Sequence, residues 1–468
     1  MVGNFKVVNV SIIKSLSRQQ KEAVGLLQIG TFLEYFDLML YVHMAVLLNE
    51  LFFPKTDPHT AALLSSFAFC STFILRPFGA LIFGYIGDNI GRKATVIITT
   101  MMMSTSCVVM ATLPTYAQIG ISAAWIVTIC RIVQGLSSMG EVMGAYVYMT
   151  EITKPPLRYP AVSFISLAST LGASAALGIA TLVTRFDLNW RNAFWLGAGI
   201  AVIGSIARTR LRETPEFLKK MYERKNKIKS AEKSVLVNGK LRKRTMFAFF
   251  ITSCGGPMTF YIVYMHFNTL LKQSFGYSSA NIIMHNFYLS LIQVSACILF
   301  AIMSYRIHPL KIMKSGILCL VGLILLLPII ILNITHPYQL FALQSMFLLL
   351  FLSDTPSASI FIKQFPVLKR VTATSFLYAL ARALMYPITS FGLIYLTNFF
   401  GIYGLWMIML PIAGGYLWAA NHYASLEGIA EFKVASLFRR TDKAIEPLGI
   451  NHKDESANIN DKKLAQIN

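Results

Sequence analysis

Twelve apolar runs, each close to the length that crosses a bilayer, constrain this chain more than any other feature. They fall at 24–52, 61–86, 94–113, 119–149, 161–184, 192–209, 246–271, 281–304, 315–334, 338–362, 373–398 and 402–422. A transmembrane helix needs roughly 20 such residues, and in lipid the backbone must satisfy its own hydrogen bonds as helix or closed barrel. The runs are too long for barrel strands and do not alternate with period two. Turn chemistry separates them, as at Phe53-Pro54, Leu113-Pro114 and His336-Pro337. The expected fold is an all-α membrane protein of twelve transmembrane helices. Composition agrees, with 55% hydrophobic and only 13% charged residues, where a soluble domain carries about a quarter charged.

The distribution of charge gives the orientation. The formal net charge is +21, and no nucleic-acid-binding motif accompanies it. The basic residues cluster instead at the N-terminal tail, at every second turn (Arg92 and Lys93; Lys154 and Arg158; Arg306, Lys311 and Lys314; Lys363, Lys369 and Arg370), and densely at 208–244. Lys and Arg mark cytoplasmic loops, so both termini are expected in the cytoplasm. The chain divides into a tail (1–23), a six-helix half (24–209), a basic cytoplasmic loop (210–245), a second six-helix half (246–422) and a C-terminal tail (423–468). Single cysteines placed at Lys225 and Lys55 in a cysteine-free background test this orientation. An impermeant thiol reagent on intact cells should label position 55 and spare 225, and strong labelling at 225 would reverse it.

The six cysteines stand singly inside apolar runs, with no paired spacing, so neither a disulfide framework nor a metal site is indicated. No phosphate loop or nucleophile–base pair stands out, which argues against an enzyme and against a bound cofactor.

Between the second and third runs lies "GYIGDNIGRK", a charged knot in apolar surroundings. Small Gly84, Gly87 and Gly91 allow two helix ends to approach. Asp88 can cap a helix or meet a neighbouring base, while Arg92 and Lys93 can bridge to acids such as Glu151. Such a latch can break and re-form. The knot resembles the signature of the major facilitator superfamily, and two six-helix halves are that superfamily's pattern, with the substrate site between them. Further stretches resemble its metabolite:proton symporter family, the group that includes proline/betaine transporters: "GTFLEYFDLMLY", "LRPFG", "RIVQGLSSMGEVMGA", "NWRNAFWLGAG" and "RETPEF". The resemblance is specific over about 25–220 and mainly topological beyond 245. In the second half, Tyr305 stands where an Asp is usual, and Lys363 precedes Gln364-Phe365-Pro366 where the family tends to have an acid. The tail lacks sustained heptads, so the coiled-coil extension of osmosensing relatives is expected to be absent.

Ionisable residues inside spans are costly and call for a partner or a role. Glu34, Asp37 and Tyr41 share one face of span 1, and Arg131, Gln134, Ser138 and Glu141 share one face of span 4. The resemblance implies that both faces border the substrate path. On that reading Arg131 and Gln134 meet a substrate carboxylate. Glu34 or Asp37 meets the cationic end, helped by the aromatic faces of Tyr35, Tyr41, Tyr261 and Tyr264, and one of the two carboxylates can also carry the coupling proton. A structural ion pair between spans 1 and 4 is the alternative. Arg76, in "LRPFG", is implied to be gate structure. Asp354 is either a cavity acid or a packing group. Arg382 either pairs with Asp354 or faces the cavity, where it would favour a di-anion.

The resemblance thus implies a proton-coupled symporter for small zwitterionic metabolites or osmolytes such as proline and glycine betaine, in a bacterial inner membrane. Its partners would be the small-molecule substrate, a proton and the lipid bilayer. The rivals are a di- or tricarboxylate carrier of the same fold and a non-transporting sensor on a transporter scaffold.

Overall fold

The computed structural model describes residues 18–54, 58–89, 92–138, 141–186, 188–209, 241–366 and 370–429. Residues 1–17, 210–240 and 430–468, which hold most of the basic loop and of both tails, lie outside these residues, so the orientation expected from their charge is not addressed by the fold. The described helices line up with the apolar runs to within a few residues at their ends.

Span 1 is Arg18–Phe52, and span 2 is Pro58–Ile74 continued by Arg76–Asn89. Span 3 is Arg92–Thr112, and span 4 is Ile121–Ser137 continued by Glu141–Ile152. Spans 5 and 6 are Arg158–Arg185 and Arg191–Thr209. Span 7 joins Lys243–Tyr261 and Phe267–Phe275. Spans 8 and 9 are Ser279–Arg306 and Pro309–Leu332. Span 10 joins Pro337–Phe351 and Ala358–Lys363, and spans 11 and 12 are Arg370–Phe400 and Gly404–Leu426. Eight stretches among the described residues are long and apolar enough to cross a membrane, the last running through spans 11 and 12 together.

Within lipid there is little hydrophobic force between helices, so close packing of small residues holds them. In the first half this packing reaches backbone contact. A Cβ on Gly172 of span 5 would fall on the carbonyl of Phe32 in span 1, and one on Gly135 of span 4 would fall on that of Thr72 in span 2. Hydroxyls inside the spans return their donors to their own helix, as Thr128 does to the Ala124 carbonyl and Thr181 to that of Leu177, each at 2.8 Å.

Contacts join the halves on both sides of the centre. Near the ends of spans 1 and 7, Lys272 pairs with Glu50 at 2.7 Å, an exposed bridge worth at most about 1 kcal/mol. Spans 2 and 11 bring Phe73 against Tyr386 with ring centroids 3.9 Å apart and the planes tilted by 38°. Spans 5 and 8 meet at Thr170 and Cys297, 3.6 Å apart. At the opposite end, Met143 and Val147 of span 4 join Phe249, Phe361 and Leu377 of the second half in one apolar cluster.

Two spans of the second half are irregular where they pass the centre. Span 7 turns as a π-helix over Ile262–His266, five residues after Pro257. Span 10 narrows to a 3-10 helix over Leu352–Ser357, which contains Pro356. Proline lacks the N–H that an α-helix requires, and nearby hydroxyls take up carbonyls locally, Ser353 to Leu350 at 2.7 Å and Thr355 to Leu352 at 2.9 Å. Irregular backbone at membrane depth is tolerated where it lines a cavity, and these two breaks do.

Candidate functional site

A cavity of about 250 Å³ lies between the halves. Tyr35, Met39 and His43 of span 1, Tyr146 of span 4 and Ser166, Ser169 and Thr170 of span 5 line it from the first half. From the second come Thr252, Phe260 and Tyr264 of span 7, Gln293 of span 8, Asp354 and Thr355 of span 10, and Tyr378 and Arg382 of span 11. Both irregular turns therefore deliver cavity residues: the π-turn presents Tyr264 and the 3-10 turn presents Asp354. Such breaks re-aim side chains that a regular helix would point elsewhere.

Among the described lining residues the charged side chains are one acid and one base. Asp354 accepts a hydrogen bond from Tyr416 at 3.3 Å through Oδ2. Arg382 lies over the Tyr378 ring, its guanidinium carbon 3.4 Å from the centroid. No ion pair joins the two among the described residues, so the structural pair expected as one alternative is not formed and Arg382 faces the cavity. Both charges line the same cavity. Tyr378 also meets Tyr35 hydroxyl to hydroxyl at 3.3 Å, a polar contact from one half to the other.

The residues expected to border the substrate path through spans 1 and 4 lie elsewhere. Glu34, Asp37, Tyr41, Arg131 and Gln134 are all buried, at 0–9% exposure, and none lines the cavity. Arg131 stacks on Tyr41 at 4.2 Å and donates to Gln134 Oε1 at 2.8 Å. Gln134 reaches Cys107 Sγ at 3.9 Å, and Asp37 Oδ1 rests 3.6 Å from where a Cβ on Gly197 of span 6 would sit. This is a polar cluster inside the first half. The reason is rotational phase: each residue turns a helix by about 100°, so the face of Glu34, Asp37 and Tyr41 is not that of Tyr35, Met39 and His43. Tyr264 does line the cavity and donates to Gln293 at 2.8 Å. Tyr261 instead packs edge-on to Phe69 at 5.6 Å.

Arg76 is 4% exposed, opens the second segment of span 2 and lies 4.5 Å over Phe73. The latch is largely outside the described residues. Gly91 is not described, and neither are the side chains of Asp88, Arg92, Lys93, Glu141 and Glu151; Gly84 and Gly87 lie within the helix Arg76–Asn89. His43 was not singled out by the sequence reading. It is 3% exposed, neither ring nitrogen makes a hydrogen bond, and its ring lies 5.8 Å from that of Tyr264. Its signal was the spacing i, i+4, i+8 from Tyr35 through Met39.

A helical bundle of two halves enclosing a small two-signed cavity is the architecture of a membrane transporter. The sequence profile of the Major Facilitator Superfamily matches residues 27–390, and the chain belongs to that superfamily. Over 209 residues it is 36% identical to the inner membrane metabolite transport protein YhjE of Escherichia coli, a stretch covering 43% of this chain and 47% of that protein. It is 31% identical over 204 residues to the proline/betaine transporter of Salmonella typhimurium, covering 42% and 41%. The match thus spans less than half the length of these curated relatives. The proton:xylose symporter XylE bound to 6-bromo-6-deoxy-D-glucose superposes with a TM-score of 0.68 at 14% identity, over 87% of this chain and 95% of that one. The human organic anion transporter MFSD10 superposes at 0.62 and 15% identity, over 86% and 98%. At these identities the likeness is one of fold.

Proposed function

We propose that this chain is a proton-coupled symporter that imports small zwitterionic metabolites or osmolytes of the proline and glycine betaine kind across a bacterial inner membrane, with both termini in the cytoplasm. The observation that carries the substrate class is the pair of opposite charges in the cavity, Asp354 and Arg382, which are not joined to each other. A molecule bearing a carboxylate and an ammonium group completes both. A di-anion would satisfy Arg382 and meet repulsion at Asp354. The volume supports a small ligand, since drug-sized molecules occupy sites of roughly 300–1,000 Å³. Aromatic rings of Phe260, Tyr264 and Tyr146 suit a quaternary or secondary ammonium. The names of the relatives, among them proline/betaine transporters, support the same reading.

Coupling to a proton supplies the driving force. One charge crossing 100 mV yields about 2.3 kcal/mol, enough for roughly fifty-fold accumulation of a neutral zwitterion. Glu34 and Asp37 are the proposed proton site, buried in span 1 beside the lining face. Uptake into proteoliposomes of labelled proline, glycine betaine and succinate, with and without an inward proton gradient, tests the function. Gradient-driven accumulation of a zwitterion is expected, and accumulation of succinate alone would replace this substrate class with dicarboxylates. Glu34→Gln and Asp37→Asn should lose accumulation while keeping substrate exchange between the two sides. Full proton-driven accumulation in both variants would remove span 1 from the coupling.

A further inference from the structure

A guanidinium in mid-membrane needs an acid, a carbonyl or a ligand. Arg382 is about 18 Å along span 11 from Arg370, at 1.5 Å per residue, and so sits well inside the span. It lines the cavity, its Nη1 is buried and makes no hydrogen bond, and the sequence-based candidate for its partner, Asp354, bonds to Tyr416 instead. The Tyr378 ring beneath it limits the positions the guanidinium can take, and the Tyr378 hydroxyl is in turn held by Tyr35. A planar fork of donors held over a ring in the wall of a cavity is suited to a carboxylate, which it can bind through two parallel hydrogen bonds.

The buried arginines are engaged differently, Arg370 donating from Nε to the Phe365 carbonyl at 3.1 Å. Arg131 points to Gln134 inside the first half, and Arg76 lies over Phe73; neither lines the cavity. Resting on the transporter reading above, we infer that Arg382, rather than Arg131, is the carboxylate anchor of the cavity, and that the chain selects ligands by their carboxylate. Asp354, on the same cavity, then faces the cationic end.

The test uses the purified full-length protein in detergent, with thermal unfolding as the readout of binding. Glycine betaine, proline and succinate are compared with choline and prolinamide, which keep the cationic part and lack the carboxylate. A carboxylate-bearing probe should raise the unfolding temperature, and its carboxylate-free counterpart should need a higher concentration for the same shift. In Arg382→Ala the carboxylate probe should weaken roughly 10- to 100-fold, the range of a charged hydrogen bond lost, so that the two kinds of probe become alike. Arg382→Lys should recover part of the preference, because it keeps charge without the fork.

Should Arg382→Ala fail to fold, the wild-type protein still decides the matter. Phenylglyoxal modifies accessible arginines, and glycine betaine or succinate should protect the peptide that contains Arg382, read by mass spectrometry. Undiminished carboxylate binding by folded Arg382→Ala, stabilisation by none of the carboxylates, or absence of protection would each overturn the anchor. Carboxylate binding that depends on Arg382 but belongs to succinate alone would uphold the anchor and overturn the zwitterion reading. Arg382-dependent binding without any uptake in proteoliposomes would uphold it and overturn the transporter reading.

Discussion

Gly172→Leu should leave almost no folded protein in the membrane, and Gly135→Leu should do the same. The expectation comes from what a side chain would meet. At Gly172 the carbonyl carbon of Phe32 lies 3.0 Å, and the amide nitrogen of Phe36 3.1 Å, from the site of an added Cβ, with the Phe32 carbonyl oxygen nearer still. At Gly135 the obstacle is the carbonyl of Thr72. These are backbone atoms of a neighbouring helix and cannot rotate away as a side chain would, so the helix axes must separate. Overpacking a core that can yield costs about 1–3 kcal/mol. Here the added volume forces apart spans 1 and 5, or 2 and 4, along their length, against a total stability of only about 5–15 kcal/mol. Gly199 and Gly414 provide the controls, because nothing lies within 4 Å of a Cβ on either. Fluorescent fusions resolved by size-exclusion chromatography should show the first two variants aggregated or missing, and Gly199→Ala and Gly414→Ala at wild-type levels. A monodisperse Gly172→Leu with a normal melting curve would show that the span 1–span 5 packing is not as close as described.

The positions of the spans could be read from the sequence because their cause is local. A run of apolar residues long enough to cross hydrocarbon has one stable form, and the proline turns at Pro54, Pro114 and Pro337 mark the ends. The cavity was less legible because it depends on helix rotation and on which half meets which. Span 1 carries two polar stripes, one through Glu34, Asp37 and Tyr41 and one through Tyr35 and His43. Charge drew attention to the first, yet it is the second that borders the cavity. Nothing within span 1 decides between them, since the choice is made by its packing on spans 4, 5 and 6 of its own half and on Phe260 and Tyr264 of span 7. Arg382 was recognisable as an uncompensated mid-span cation. Its freedom from Asp354 was not, because that depends on the 3-10 turn at Leu352–Ser357 and on Tyr416 of span 12. Resemblance, too, weakened where this was needed, being specific in the first half while the charged groups of the cavity stand in the second.

Ser390→Cys should create a protein that transports normally when reduced and stops when oxidised. Cys70 of span 2 and Ser390 of span 11 are each 0% exposed, and Sγ and Oγ approach to 2.9 Å across the boundary between the halves. Serine to cysteine changes one atom, so the fold should accept it. The new thiol would lie about 0.9 Å beyond disulfide distance, given a bond of about 2.0 Å, a gap that small rotations can close. In this superfamily access alternates as one repeat rocks against the other around a fixed site, so the seam between spans 2 and 11 must part at some point in the cycle. A covalent bridge there should hold the halves together and reduce uptake to about a tenth or less, with dithiothreitol restoring it. Because the site is buried, the oxidant must enter lipid, as copper phenanthroline does. Ser390→Cys in a Cys70→Ser background should be indifferent to the same treatment. A protease site inserted in the 210–240 loop reports whether the bridge has formed, since the two cut halves then migrate together until reduced. A complete bridge with undiminished uptake would mean that this seam stays shut throughout transport, and that the halves exchange access by bending within spans rather than by rocking as units.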